Sequence, residues 1–183
     1  MHRDIKPANF IITDGSDRRF VKLCDFDTSK VYSQQDHTAK PGTQNYQAPE
    51  LLPRGAVEGK YIYSTKADIY SLGLVGVDLF IFNMNEYILA KTMKSVFLKQ
   101  STERCQNAFT EIKETLLTMH LLDQMKRPDS KYLLDKINEI KQKLSEIRDL
   151  KEERKVSGYL NRNKVDNCLN LYGQIFHKII SIN

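Results

Sequence analysis

Two short apolar runs, Phe10-Ile11-Ile12 and Phe20-Val21-Lys22-Leu23, flank the turn formers Asp14-Gly15-Ser16-Asp17. That pattern predicts a small β-hairpin. From Thr28 to Pro49 the chain is polar and aperiodic and carries Gly42 and two prolines. It predicts a long loop, of a length usually tied to function or disorder. After Glu50 the pattern turns helical. Ser64 can cap a segment whose apolar positions from Ile69 to Phe82 are nearly continuous, as in a helix buried on most sides. Helical periodicity returns between Ala108 and Leu122 and from Lys131 to Leu150. The expected class is α+β, mainly α, with one small hairpin near the start.

Leu133, Ile137, Ile140, Leu144 and Ile147 follow a four-three-four-three spacing. Such a stripe suits a coiled-coil seam, but two heptads are too few, and a helix packing on its own domain is the simpler reading. From Lys151 onward there are six Lys or Arg against three Asp or Glu. The expected boundary lies at 145, with 146–183 a basic helical extension.

Composition narrows the classes. A chain of 183 residues with 40% hydrophobic and 28% charged residues fits one domain with a real core. The longest apolar run, Leu72 to Phe82, is broken by Gly73, Gly76 and Asp78, well short of the roughly 18 apolar residues of a membrane span. The N-terminus, Met1-His2-Arg3-Asp4, lacks a secretory leader's apolar stretch. A cytoplasmic protein without a membrane partner is the expectation. Cys24, Cys105 and Cys168 have no spacing that would hold zinc or frame disulfides. The net charge of +5 is spread along the chain with no aromatic-rich basic segment, which argues against nucleic acid as a partner.

The chemistry is concentrated in His2-Arg3-Asp4-Ile5-Lys6-Pro7-Ala8-Asn9, just before the hairpin. One carboxylate, one ammonium and one amide share a short loop. Phosphoryl transfer needs these three together: a carboxylate to orient and deprotonate the attacking hydroxyl, a cation for the moving phosphate, and an amide oxygen for a hard metal ion.

The segment resembles the catalytic loop of eukaryotic protein kinases. Further likenesses follow in the family's order. Asp25-Phe26-Asp27, 16 residues after Asn9, resembles the metal-binding Asp-Phe-Gly. Gly42-Thr43-Gln44-Asn45-Tyr46-Gln47-Ala48-Pro49-Glu50 resembles the end of an activation segment, Asp68-Ile69-Tyr70-Ser71-Leu72-Gly73 the start of the central buried helix, and Arg127-Pro128 the late arginine. The resemblance covers residues 2 to 145. It implies Asp4 as base, Lys6 as phosphate partner, and Asn9 and Asp25 as ligands of the Mg2+ that accompanies ATP. It further implies that Phe26 packs in the core, that Thr43 bonds toward Asp4 and Lys6, that Asp68 braces the catalytic loop, and that Arg127 pairs with Glu50. Lys6 and Thr43 together favour Ser/Thr over Tyr specificity.

Two departures matter. Asp27 stands where the family usually has glycine, whose backbone reaches conformations closed to most residues. Neither the glycine-rich loop, nor the strand lysine, nor the helical glutamate of the small lobe occurs in these residues. The resemblance therefore implies a protein-kinase-like C-terminal lobe with its N-terminal lobe absent, acting on protein substrates when complete. A pseudokinase-like scaffold is the alternative. Cys24, beside Asp25, is expected at the back of the nucleotide cleft. Arg3 is expected to lack a partner until a phosphate on the activation loop supplies one. Thr38, flanked by His37 and Lys40, is the first candidate for that phosphate and Ser33 the next.

Overall fold

In the computed structural model, residues 1–14, 19–29, 43–52, 56–57, 60–61, 64–79, 103–149, 170, 172–175 and 178 are described. Strands β1, Phe10–Asp14, and β2, Arg19–Leu23, pair antiparallel with Phe10 opposite Leu23 and Asp14 opposite Arg19. Side chains alternate across a strand, so Phe10, Ile12, Val21 and Leu23 share one face. Val21 is buried there, and Phe10 and Leu23 pack partly against the core. The opposite face leaves Ile11 and Phe20 exposed.

Helix α1, Lys66–Leu79, lies at the centre, with ten of its residues between Ala67 and Val77 buried. Ser64 caps it, its hydroxyl accepting the Lys66 N–H at 3.3 Å. Helix α2, Glu103–Met119, packs on α1, and α3, Ser130–Asp149, packs on α2. Ile69, Leu72, Ile112, Leu116, Met119, Leu133, Ile137 and Ile140 belong to one apolar cluster. The stripe on α3 thus packs within its own domain at Leu133, Ile137 and Ile140. Gly73 and Gly76 make room on α1: a Cβ at Gly73 would lie 2.7 Å from His120 Nε2 and 3.0 Å from Met119 Cβ.

The structure departs from the expected plan in three places. A second antiparallel pair joins β3, Ala56–Val57, to β4, Lys60–Tyr61, in a region read as the approach to helix. Only Glu58 and Gly59 separate these strands, a length suited to a tight hairpin. The expected loop from Thr28 to Pro49 ends in one-turn 3-10 helices at Gln44–Tyr46 and Pro49–Leu51. The third departure concerns 146–183, read as an extension outside the domain: Tyr172 and Ile175 are buried in the same core as α1 and α3. Leu169, Tyr172, Ile175, Phe176, Ile179 and Ile180 follow helical apolar spacing, a signal that reading the stretch by its charge passed over. No helix among the described residues is long and apolar enough to cross a membrane.

Candidate active site

The segment from Met1 to Asn9 is held from below by α1. Asp68, buried in the first turn of that helix, accepts the His2 N–H at 2.8 Å on one carboxylate oxygen and the Arg3 N–H at 2.9 Å on the other. Burial pushes the Asp68 carboxyl above its ordinary range, and those two amides oppose it. They also hold Arg3 in a left-handed conformation, φ 68°. Such a backbone costs a non-glycine residue roughly 1–2 kcal/mol and persists only where its surroundings impose it.

His2 is the residue whose importance sequence reading missed. It is buried, and its carbonyl accepts the Thr28 hydroxyl at 2.9 Å. Its ring reaches the Cys24 carbonyl at 3.1 Å through Nε2 and the Asp4 amide at 3.4 Å through Nδ1. One side chain thereby ties the loop to the strand exit that carries Asp25. Its place in the motif was visible, but partners that are backbone atoms leave no sequence signal.

Above this base Asp4, Lys6 and Thr43 converge. Lys6 Nζ donates to Asp4 Oδ2 and to Thr43 Oγ1, each at 2.7 Å. The Thr43 N–H donates to the other Asp4 oxygen at 2.8 Å. Burial raises the Asp4 carboxyl, but the hydrogen bonds from Lys6 and Thr43 outweigh it and hold the group below its usual range. Asp4 is therefore an ionised acceptor at neutral pH, 39 residues from the threonine that fixes its second oxygen.

Asn9 closes the loop from the hairpin side. Its amide NH2 donates to the Asp4 carbonyl at 2.8 Å and to Asp4 Oδ2 at 3.3 Å. The Asn9 carbonyl accepts the Cys24 N–H at 2.9 Å, so β1 and β2 bring Asn9 and Asp25 to the same end of the hairpin. Asp25 is exposed, with φ 64°, and no hydrogen bond joins its carboxylate to a described residue. The side-chain oxygen of Asn9 and the Asp25 carboxylate are hard donors of the type that suits Mg2+, which keeps several waters. Cys24 directs its thiol back to the Asn9 carbonyl at 3.2 Å.

Two expectations are corrected here. Phe26 is 48% exposed instead of packed in the core; one side of its ring meets His2 edge-on at 5.0 Å between centroids. Arg3 does not wait for a phosphate to find a partner, because its Nε donates to the Thr28 carbonyl at 2.5 Å. Asp27 is not among the described residues with positive φ, so replacing glycine there strains no backbone. Thr38, Ser33, His37 and Lys40 lie outside the described residues.

The far end of the segment is anchored by charge. Arg127, fully buried, pairs both guanidinium nitrogens with Glu50 at 2.6 and 2.8 Å, and it donates to the carbonyls of Leu121 and Lys66 at 2.8 and 2.9 Å. Its guanidinium also lies over the Tyr70 ring, 4.9 Å from the centroid. Tyr46 donates to Asp78 at 2.5 Å, and burial together with that carboxylate pushes its hydroxyl up to about 12. Thr43 is therefore positioned by anchors on both α1 and the loop before α3.

Comparison with known proteins agrees with this arrangement. A family model described as the protein kinase domain matches residues 1–143. Serine/threonine-protein kinase chk-2 of Caenorhabditis elegans is 42% identical over 74 residues, covering 40% of this chain and 14% of that kinase. Serine/threonine-protein kinase STY46 of Arabidopsis thaliana is 27% identical over 150 residues, 80% of this chain and 24% of the relative. Ovarian-specific serine/threonine-protein kinase Lok of Drosophila melanogaster is 40% identical over 76 residues, 40% of this chain and 15% of its own length. The chain thus spans between 14% and 24% of these relatives. No solved structure matches. With the family model covering most of its length, the chain belongs to the protein kinase domain family.

Proposed function

We propose that this chain is the C-terminal lobe of a serine/threonine protein kinase whose complete form transfers the terminal phosphate of ATP to Ser or Thr hydroxyls of protein substrates. The observation that carries the reading is the convergence of Lys6 on Asp4 and Thr43, both at 2.7 Å. An ionised Asp4 orients the incoming hydroxyl and accepts its proton. Lys6 offsets charge on the moving phosphate, and its bond to Thr43 couples that position to the segment where substrate docks. Asn9 and Asp25 would hold Mg2+, which would supply charge neutralisation at the phosphates.

The nucleotide-gripping elements absent from these 183 residues are assigned to a small lobe of the same kinase. Phosphorylation of the activation segment, first at Thr38, would add an anion near Arg3. In the two-lobed protein, Asp4→Asn is expected to lower the rate of peptide phosphorylation by roughly 10²–10⁴-fold with folding intact. An unchanged rate would refute Asp4 as the base. The isolated chain is expected to have little activity, since losing positioning alone forfeits several kcal/mol of barrier reduction, on the order of 7. Magnesium-dependent phosphorylation by the 183-residue chain alone, abolished by Asp4→Asn, would overturn the need for a second lobe. A non-catalytic scaffold is the second reading, favoured by Asp27 in place of glycine. Nucleotide binding without transfer in the two-lobed protein would select it.

A further inference from the structure

The residues around Tyr172 reach back 100 positions to the centre of the domain. Tyr172 is buried, and its hydroxyl donates to the Leu72 carbonyl in α1 at 3.0 Å and lies 3.9 Å from Met119 Sδ. Gly76, one helical turn beyond Leu72, is what admits the ring: a Cβ there would lie 2.6 Å from the Tyr172 hydroxyl. Gly173 seats against Ile137 and Lys141 of α3, where a Cβ would lie 3.7 Å from Ile137 Cγ2. Gln174 then turns the other way, and its side-chain oxygen accepts the Val21 N–H of β2 at 3.1 Å. Ile175 is buried in the shared core. Four consecutive residues thereby touch α1, α3 and the hairpin.

The two elements they join are the supports of the candidate site. Helix α1 carries Asp68, four residues before Leu72, which holds His2 and Arg3. Strand β2 carries Val21, four residues before Asp25, and Cys24 bonds to Asn9. We propose that the segment around Tyr172–Ile175 is an intramolecular clamp, with Gln174 as a positioning residue that sets the hairpin bearing Asn9 and Asp25 in register with the loop bearing Asp4. The clamp itself follows from packing; its consequence for metal positioning rests on the kinase reading.

Gln174 is half-buried, and its side-chain oxygen is the acceptor for the Val21 N–H. In the full 183-residue chain, Gln174→Ala is expected to speed hydrogen exchange at the Val21 amide roughly tenfold, the size of one hydrogen bond lost. It is also expected to shift the NMR resonances of Asn9, Cys24 and Asp25 while the urea midpoint changes little. Gln174→Glu, which keeps an acceptor oxygen, should restore both readings. Unchanged exchange at Val21 in Gln174→Ala would overturn the clamp, as would a Gln174→Glu protein indistinguishable from the alanine variant. A separate assay of peptide phosphorylation with Mg2+ and ATP, in the two-lobed protein, decides the kinase reading. Loss of Val21 protection without any phosphoryl transfer would keep the clamp and sink the reading, and the reverse pair of results would do the opposite.

Discussion

At the scale of single residues, Arg127 shows how a buried charge becomes useful. Its five donors meet Glu50 and three carbonyls, so desolvation is met by bonds in a fixed fork. Lysine keeps the charge but not the fork. Arg127→Lys is expected to lower stability by roughly 3 kcal/mol, read as a fall in urea midpoint, because Glu50 loses its bidentate partner in a dry site. A second residue gives a pH signature. Burial first, and then the Arg127 charge, push His120 down from 6.5 to about 4. Between those values the unfolded chain binds a proton that the native chain refuses. Stability therefore falls as pH drops from 6.5 towards 4, by at most roughly 3 kcal/mol from this group. Midpoints measured across that range for the native sequence and His120→Phe should differ in slope. Parallel curves would show that His120 does not titrate as its surroundings imply.

At the scale of elements, α1 is a helix whose neighbours come close because glycine lets them. Alanine favours helix by about 1 kcal/mol over glycine, so propensity alone would make Gly73→Ala stabilising. The added methyl, however, would meet the His120 ring at 2.7 Å and Met119 Cβ at 3.0 Å. Overpacking of that kind costs about 1–3 kcal/mol, and α2 must move or His120 must turn. A net loss of roughly 1 kcal/mol is expected, seen as a lower thermal midpoint. Gly173→Ala is the control. Its nearest obstacle is Lys141 Nζ at 2.5 Å, the far end of a flexible side chain that can swing aside, so the midpoint should hold or rise.

For the whole molecule, the informative feature is an outward apolar surface beside the candidate site. Ile11 is 48% exposed, Phe20 41% and Phe26 48%. Ile11 and Phe20 share one face of the hairpin, and exposed apolar side chains gathered on one face generally mark a partner or a ligand. The isolated chain is expected to bind an apolar dye and self-associate, and Phe20→Ser to reduce both while changing stability by less than about 0.5 kcal/mol. Dye fluorescence and sedimentation at several protein concentrations would check this. Equal dye binding by the variant would show that the patch lies elsewhere.

What sequence alone determined is whatever was local. Asp4, Lys6 and Asn9 fall within six residues of one another, and a short loop leaves them little choice but to meet. The hairpin, the buried character of α1 and the stripe on α3 were legible for the same reason, since strand alternation and helical spacing repeat over a few residues. The pairing of Arg127 with Glu50 was legible only through family likeness, because 77 residues separate them and no periodicity links them. Tertiary structure alone decided the rest. The Thr28 carbonyl that receives Arg3, and the Cys24 carbonyl facing His2, are backbone atoms common to every residue type. Phe26 was apolar in sequence yet is half exposed, because burial depends on what lies across from a side chain as much as on its own chemistry. Tyr172 sits in the core because Gly76, 96 positions earlier, leaves the space its hydroxyl needs, and only a folded chain brings that space and that ring together.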